Sequence, residues 1–231
     1  MSFEKINFPI IIQARLSSQR LPSKVLKKIN GIPLIEYSIN RIRALFDSSK
    51  ILIATSNHAS DDLLVDYCKE NKINYFRGSL NNVAKRMFLA ANKLKAKYFV
   101  RISGDSPLID PKIVAEGVKI SQNGLYDLVT NTYPRTYPSG QSVEVIRTDS
   151  LESILSANIN DFEKEHVTPF FYTNSKDFKI FNFENDENLS SYSLVVDTLT
   201  DFNKTEKIIN NMVNPYTDYQ MKEIINSLYA K

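Results

Sequence analysis

A short polar segment near the start of the sequence, from Ala14 to Lys24, carries three cations close together. They are Arg15, Arg20 and Lys24, and serines such as Ser17 stand between them. An arginine guanidinium grips phosphate oxygens with paired hydrogen bonds, lysine adds a point charge, and the backbone N–H groups of such a loop add further donors. The glycine patterns of a Walker loop and of a dinucleotide-binding fingerprint are both absent. The segment therefore predicts a polyphosphate site, and a solvated basic connection is the alternative.

Two aspartates, Asp105 and Asp197, have the chemistry to hold a divalent cation. Hard cations such as Mg²⁺ take carboxylate oxygens together with substrate phosphates and water, and in nucleotidyl transfer the metal neutralises phosphate charge. Each aspartate follows a short apolar run, so both are predicted at strand ends. The alternative is structural, with Asp105 capping a turn before Pro107 and Asp197 capping the helix that follows it.

His166 is one of two histidines and stands just before an aromatic run. One interpretation is a general base or a substrate contact, and the alternative is a hydrogen-bonded structural residue among apolar neighbours. The single cysteine, Cys68, excludes an intrachain disulfide and a cysteine-cluster metal site. Its place on a predicted amphipathic helix indicates a core position.

The elements that must position these residues alternate in the first half of the chain. Short runs rich in β-branched residues predict buried strands, and apolar residues at helical spacing predict the helices between them. The strands are predicted at 9–14, 50–55, 74–76 and 98–102, and the helices at 34–45, 61–70 and 81–95. This order indicates an α/β fold with a mostly parallel central sheet and helices on both faces. Ligands bind such sheets at the carboxyl ends of the strands, where the cationic loop and Asp105 are predicted.

The regular order ends near Asn131. Residues 131–142 hold two prolines and a glycine among aromatic and polar residues, which predicts an irregular excursion. Later strands are predicted at 143–147, 178–183 and 194–197, and later helices at 149–157, 163–172, 201–212 and 216–229. We expect a single domain over 1–231 with a late insertion at about 131–193.

The composition indicates a globular protein and argues against a nucleic-acid binder and a membrane protein. The chain has 231 residues and a mass of 26.5 kDa, with 42% hydrophobic and 24% charged residues, a globular composition. A net charge of +3 is compatible with an anionic substrate but, without a recognisable motif, does not indicate a nucleic-acid binder. No apolar run reaches the roughly 20 residues of a membrane helix, and the start lacks the layout of a signal peptide. We therefore expect a cytoplasmic protein that binds neither nucleic acid nor a membrane.

Five segments in their order along the chain carry a family resemblance. They are ARLSSQRLPSK from Ala14, SGDSPLIDP from Ser103, RTYPSGQSVEV from Arg135, EHVTPFF from Glu165 and LVVDTLTDF from Leu194. With them the chain resembles the cytidylyltransferases that activate acidic sugars, particularly the SpsF-like proteins of spore-coat polysaccharide synthesis. It is more distantly similar to the CMP-3-deoxy-manno-octulosonate and CMP-sialate synthetases. The resemblance covers nearly the whole sequence.

The resemblance implies a Rossmann-like nucleotide-diphospho-sugar transferase fold and transfer of a nucleoside monophosphate from its triphosphate. It implies that Asp105 and Asp197 bind Mg²⁺ and that Lys24, Arg15 and Asp105 serve catalysis. The nucleotide contacts that it implies come from Ala14, Arg15, Ser17, Arg20, Lys24, Arg86 and Asp105. Without the resemblance, Arg86 is interpreted as an exposed helix charge.

The expected substrates are CTP and a sugar acid or phosphorylated sugar-like acceptor, in surface-glycan biosynthesis. Arg135, Glu144 and His166 are the candidates for holding the sugar. Arg135 would pair with a carboxylate or phosphate, and a surface loop charge is the alternative. The segment 131–193 is expected to contribute to sugar binding or dimerisation, and the relatives imply a homodimer.

Three positions depart from the family patterns. Leu16 and Ser17 stand where sialate-type enzymes have a glycine pair, and Ser23 stands where the octulosonate type has a glycine before its lysine. The base and sugar preferences stay open for that reason. One alternative is a sugar-1-phosphate nucleotidyltransferase that uses another nucleotide such as GTP. Another is a non-catalytic nucleotide-binding protein of a glycan pathway.

Overall fold

The computed structural model describes residues 4–227, and a seven-stranded sheet runs through it. The strands of the chain are β1 (Ile10–Gln13), β2 (Lys28–Ile29), β3 (Ile32–Pro33), β4 (Ile51–Ser56), β5 (Asn74–Gly78), β6 (Tyr98–Ser103), β7 (Leu128–Thr130), β8 (Glu144–Arg147) and β9 (Ile180–Asn182). The sheet has the order β5-β4-β1-β6-β8-β7-β9, and β2 and β3 form a separate antiparallel hairpin. Only β8 runs against its sheet neighbours, so the predicted mostly parallel sheet is confirmed.

Helices cover both faces of this sheet, as predicted. They are α1 (Leu34–Arg43), α2 (Asp62–Glu70), α3 (Val83–Lys93), α4 (Pro111–Ser121), α5 (Thr148–Ser156), α6 (Asp161–His166), α7 (Pro169–Thr173), α8 (Leu199–Asn210) and α9 (Met221–Ser227). Buried residues of α1, α2, α4, α8 and α9 form one hydrophobic core, and those of α3, α5 and α7 form the other.

The central strand β1 shows why the sheet forms where it does. Ile10 and Ile12 pack into the first core and Ile11 into the second, and all three are fully buried. Successive side chains of a strand point to opposite faces, so a strand that is covered on both faces needs apolar residues throughout. The carboxyl end of β1 leads directly into the cationic loop, while the carboxyl end of β6 leads to Asp105.

The predicted helix over 163–172 is wrong, because the structure divides it into α6 and α7. Val167 has a positive φ of 73°, which ends α6. Pro169 then occupies the first turn of α7, where its missing N–H costs nothing. The break directs the end of α6, with Glu165 and His166, toward the carboxyl ends of the strands.

The predicted strand over 194–197 is also wrong. Leu194 and Val196 are buried as a strand pattern predicts, but the segment forms no ladder in the sheet. The strand β8 already occupies the free side of β6, so the segment is held by single hydrogen bonds, from Leu194 N–H to the Ser139 carbonyl and from Val196 N–H to the Asp105 carbonyl.

Three strands and one α-helix lie outside the sequence prediction, namely β2, β3, β7 and α4, whereas the remaining predictions are confirmed with shifted ends. The last predicted helix is observed only as α9, and residues 228 and 229 of that prediction lie outside the described residues. The segment proposed as an insertion contributes β8 and β9 to the sheet, and the single domain over 1–231 stays a prediction. None of the helices within 4–227 has the length and apolar character needed to cross a membrane.

Candidate active site

A cavity of about 740 Å³ lies at the carboxyl ends of β1 and β6. Most of the residues predicted to bind nucleotide or metal line it, although they come from distant parts of the chain. The predicted residues in its wall are Ala14, Arg15, Ser17, Arg20, Lys24, Asp105, His166 and Asp197.

The Lys24 ammonium lies between the two predicted metal ligands. Its Nζ donates to Asp105 Oδ2 at 2.8 Å and to Asp197 Oδ1 at 2.7 Å, and the Lys24 side chain is only 10% exposed. Arg20, which is largely exposed, pairs with the other Asp197 oxygen at 2.9 Å. The two carboxylates therefore meet around one buried cation.

Neither of these aspartates acts as a cap. Over the described residues, the side chains of Asp105 and Asp197 accept no hydrogen bond from a backbone N–H group. Helix α8 is instead capped by Thr198, whose side chain accepts from Asp201 N–H while the Asp201 carboxylate accepts from Thr198 N–H. The structural alternative for the two aspartates is wrong, and their oxygens face the cavity and its cations.

The pair fits a Mg²⁺ ion whose other ligands come from a substrate. Two carboxylates that share one ammonium lie close enough together to share a metal ion. Within residues 4–227 no group of three or more His, Cys, Asp or Glu side chains has the arrangement to hold a metal by itself. Mg²⁺ bound by one or two carboxylates completes its shell with phosphate oxygens and water.

A buried carboxylate, Asp61, anchors the start of the cationic loop. Its Oδ1 accepts from Leu16 N–H at 2.7 Å, and its Oδ2 accepts from Thr55 Oγ1 and Ser56 N–H at 3.0 Å. Burial opposes ionisation of Asp61, but these hydrogen bonds outweigh it and hold its pKa below the usual 3.8. The loop is thereby tied to the end of β4.

Ser23 directs the end of the loop so that Lys24 enters the site. It has a left-handed backbone with φ 55° and ψ 24°, and its N–H donates to the Leu16 carbonyl at 3.0 Å. Glycine adopts this conformation freely, whereas other residues are strained there by about 1 kcal/mol. Glycine would follow the same path without this strain, whereas this chain follows it with serine.

Helix α6 supplies the wall opposite the loop. Glu165 Oε1 pairs with Arg15 Nη2 at 2.7 Å, with both side chains about one-third exposed. His166 lines the same cavity, and its ring lies 4.4 Å from that of Phe162. His166 does not line the second cavity described below, so the structure separates it from Arg135.

Arg86 is fully buried and lines neither cavity, so its interpretation as an exposed helix charge is wrong. Its Nη1 donates to the carbonyls of Ser79 and Leu80, whereas Nε and Nη2 have no hydrogen-bond partner. Burial is the main reason why its pKa falls to about 10. Arg86 holds the loop that places Leu80 and Asn81 in the cavity wall, and a direct contact with nucleotide stays a prediction.

A second cavity, of about 280 Å³, adjoins the first and is bordered by the irregular excursion. Three residues line both cavities: Arg101, Ser103 and Asp105. Arg135 reaches the second cavity from the excursion, where its Nη1 donates to Ser142 Oγ at 3.1 Å. Burial lowers the pKa of Arg135, which is partly enclosed rather than a free surface charge.

Glu144 lines the second cavity, but its carboxylate is already engaged. Its side chain is 8% exposed, Oε2 pairs with Arg101, and Oε1 accepts from Thr168 Oγ1 at 2.6 Å and Tyr172 OH at 3.1 Å. Burial, followed by the charge of Glu144, raises the pKa of Tyr172. In this structure the Glu144 carboxylate positions Arg101, and a direct contact with a sugar stays a prediction.

Buried amides fix the excursion around the second cavity. Gln141 donates to the Leu108 carbonyl and accepts from Asp110 N–H, both at 2.8 Å. Asn131 donates to the Gln141 carbonyl at 2.8 Å and accepts from Val143 N–H at 2.9 Å. Both side chains are fully buried. Their hydrogen bonds therefore fix the conformation of an excursion that lacks regular secondary structure.

Three charged residues of the site lie outside the sequence prediction: Arg101, Asp61 and Glu165. The sequence did contain a pattern that marks Arg101, because a charged residue inside an apolar strand is rarely buried unless it is paired. No such pattern marks Asp61, because an aspartate just before a helix is ordinarily expected to cap that helix. Glu165 gains its role only from the break between α6 and α7.

Comparisons with known proteins show the family of this chain. A family model for cytidylyltransferases matches residues 9–227. The spore coat polysaccharide biosynthesis protein SpsF of Bacillus subtilis is 28% identical over 94% of this chain and 92% of its own. The 3-deoxy-manno-octulosonate cytidylyltransferase of Saccharophagus degradans is 33% identical over 47% of this chain and 43% of its own. The solved structure of a cytidylyltransferase from Leptospira borgpetersenii has a TM-score of 0.89 and 28% identity, covering 96% of this chain and 93% of that one.

The family match spans both cavities, including the cationic loop, Asp105 and Asp197. The predicted resemblance to SpsF-like and octulosonate cytidylyltransferases is confirmed, and with it the assignment to the nucleotidyltransferases. By this match and by the arrangement of its site, the chain belongs to the cytidylyltransferase family.

Proposed function

We propose that this protein transfers CMP from CTP to a hydroxyl group of a sugar acid or phosphorylated sugar, with release of pyrophosphate, in surface-glycan biosynthesis. The observation that carries the proposal is the meeting of Lys24, Asp105 and Asp197 where two cavities share a wall. The first cavity has the cations for a triphosphate, and the second has Arg135 for an anionic acceptor. The names of the octulosonate and spore-coat relatives support the nucleotide and the pathway.

The cations of the first cavity bind the triphosphate by exchanging partners. Arg15 and Arg20 are paired with carboxylates at the surface, where an ion pair contributes little and is easily replaced. Phosphate oxygens accept the same guanidinium hydrogen bonds. Lys24, which is nearly enclosed, is placed to stabilise negative charge on the departing pyrophosphate.

Asp105 and Asp197 would hold a Mg²⁺ ion together with phosphate oxygens. When bound, the ion supplies charge neutralisation at the phosphates and helps to orient them. The protein contributes position: β6 presents Asp105, and the hydrogen bond from Val196 N–H to the Asp105 carbonyl brings Asp197 beside it. Such positioning is the largest part of catalysis in this kind of transfer.

The reaction at the shared wall is an in-line displacement. The acceptor hydroxyl oxygen forms a bond to the α-phosphorus while the bond from that phosphorus to the bridging β-phosphate oxygen breaks. The electron pair of the broken bond leaves with pyrophosphate, and the hydroxyl proton passes to solvent water. The products are a CMP-sugar and pyrophosphate.

The nucleotide and the acceptor are tested together by measuring pyrophosphate release. The protein is incubated with each of the four nucleoside triphosphates and a panel of sugar acids and sugar phosphates. We expect release with CTP and an acidic acceptor. Turnover with GTP instead would establish the sugar-1-phosphate alternative, and nucleotide binding without release and without a need for Mg²⁺ would indicate a non-catalytic protein.

Asp105→Asn tests the proposed metal pair. The variant should abolish pyrophosphate release from CTP and keep the fold, because it removes a charge that faces the cavity. Asp66→Asn is the matched control, since Asp66 is exposed on α2 and pairs with Lys69 on the same helix. If Asp105→Asn turned over normally, the metal assignment would be wrong.

We also propose that the protein forms a homodimer. Tyr133 in the excursion is 47% exposed and stacks on Tyr172 at 4.6 Å, so one exposed aromatic side chain is available for a contact between subunits. Light scattering of the purified protein measures the mass directly. A mass near that of one chain would contradict the proposal.

A further inference from the structure

We propose that Arg101 is a further catalytic residue, which contacts the α-phosphate where the two substrates meet; this inference rests on the proposed function. Among the cationic side chains within residues 4–227, Arg101 alone lines both cavities. Arg15, Arg20 and Lys24 line the first only, and Arg135 lines the second only.

The position of Arg101 follows from the strand that carries it. Arg101 lies on β6, and Ser103 follows two residues later on the same face. Asp105 comes directly after the strand, and these three residues form the wall between the cavities. An acceptor in the second cavity reaches a phosphorus atom in the first only across this wall.

Hydrogen bonds hold the Arg101 guanidinium in place, but they do not occupy all of its donors. Its Nε donates to Gln13 Oε1 at 3.1 Å and its Nη1 pairs with Glu144, which Thr168 and Tyr172 hold from behind. No residue in the described part of the chain accepts a hydrogen bond from Nη2, and 16% of the side chain is exposed. Folding has thus fixed a permanent charge in the wall between the cavities and left Nη2 without an acceptor among the described residues.

A fixed cation at this point acts on the transition state. Negative charge is spread over the non-bridging oxygens of the transferred phosphoryl group during displacement, and a preorganised donor stabilises it without reorganising. The contact strengthens as the reaction proceeds, so its loss lowers kcat more than it weakens binding of either substrate.

The first experiment measures steady-state pyrophosphate release by Arg101→Ala and Arg101→Lys, with CTP and 3-deoxy-manno-octulosonate or another acid of the panel that supports wild-type turnover. For Arg101→Ala we expect kcat to fall by about 10²–10³-fold. Both KM values should change by less than about threefold, because ground-state binding is retained. Added guanidinium ion should restore part of the rate to Arg101→Ala.

Arg147→Ala is the matched control. Arg147 lies on β8 at the opposite end of the same strand pair, where its Nε donates to Tyr98 OH at 2.8 Å, and it lines neither cavity. This variant should keep the wild-type kcat. An equal loss in both alanine variants would show that Arg101 acts only through the sheet and would overturn the proposal.

The second experiment uses the two diastereomers of CTP with sulfur in place of one α-phosphate oxygen. In the wild-type protein sulfur should slow the reaction when it replaces the oxygen that Arg101 contacts, and this effect should shrink in Arg101→Lys. Equal sulfur effects in the two proteins, or a normal kcat with a raised KM for the acceptor, would overturn the proposal. Failure of the proposed function gives a different result, because the wild-type protein would then release no pyrophosphate with any nucleotide and acceptor. That result would also overturn the role of Arg101.

Discussion

The two cavities differ in what holds their walls. In the first, the wall carries ion pairs between side chains that are partly open to the cavity, Arg15 with Glu165 and Arg20 with Asp197. In the second, the excursion that borders the cavity is held by neutral amide hydrogen bonds of Asn131 and Gln141, which are fully buried. The charged groups of the first cavity face its space, whereas the amides of the second face the protein.

This difference separates binding groups from supporting groups. A partly exposed ion pair contributes little to stability, so a phosphate or a metal ion replaces one partner at small cost. A buried hydrogen bond is expensive to lose, because its partner is left unpaired away from water. The ion pairs of the first cavity can therefore be replaced by contacts with a substrate. The buried hydrogen bonds beside the second cavity instead keep its shape.

The largest expected effect is on the rate, at Lys24. Lys24→Met removes the charge and keeps most of the side-chain volume, so the rate of pyrophosphate release should fall by about 10³-fold. Steady-state assays with CTP and Mg²⁺ measure it. Lys69→Met on the exposed face of α2 is the control, and an unchanged rate in Lys24→Met would show that the bridging cation is structural.

The next effect is on stability, at Gln141. Gln141→Ala leaves the Leu108 carbonyl and the Asp110 N–H unpaired, which should lower the free energy of unfolding by about 3 kcal/mol. Urea denaturation measures it. The control is Gln19→Ala, because Gln19 is exposed in the first cavity and its loss should change that free energy by less than about 0.5 kcal/mol. Equal losses in the two variants would remove the distinction between the cavities.

Asp61 is the buried anchor of the first cavity, and its effect should depend on pH. Asp61→Asn should lower the free energy of unfolding by about 2 kcal/mol at pH 7, because a charged acceptor of several hydrogen bonds is lost. The pKa of Asp61 lies below 3.8 in the folded state, so the stability that it contributes is present above that pH and disappears as the pH falls through the folded pKa. Urea midpoints of both proteins should therefore converge in acid. A difference that stayed constant from pH 7 to acid would contradict this role.

The smallest effect is expected at Ser23. Glycine relieves the left-handed strain but adds freedom to the unfolded chain, so Ser23→Gly should raise the free energy of unfolding by no more than about 1 kcal/mol. The rate of pyrophosphate release should stay within about twofold, because Lys24 keeps its position. Thermal denaturation and the same rate assay check both. A large loss of rate would show that the serine hydroxyl itself binds substrate.

Local patterns in the chain suffice for much of the fold. The β-branched run Ile10–Ile12 predicts a strand covered on both faces, and apolar spacing predicts α1, α2 and α3, because both patterns arise from the geometry of a single element. The same reasoning fails at 194–197, whose pattern is that of a strand. Whether a strand pairs depends on a free neighbouring edge, and β8 already occupies that edge.

For the site, residue type and the strand ends of β1 and β6 marked the cationic loop and Asp105, since both are local properties. Asp197 was marked by its residue type after an apolar run, although that run forms no strand. Folding decided the rest. That Lys24 lies between Asp105 and Asp197, and that Arg101 rather than Glu144 is the group left open to both cavities, depends on strand register and on hydrogen bonds between residues far apart in the chain. Those contacts exist only once the sheet has assembled, because no short stretch of sequence contains both partners.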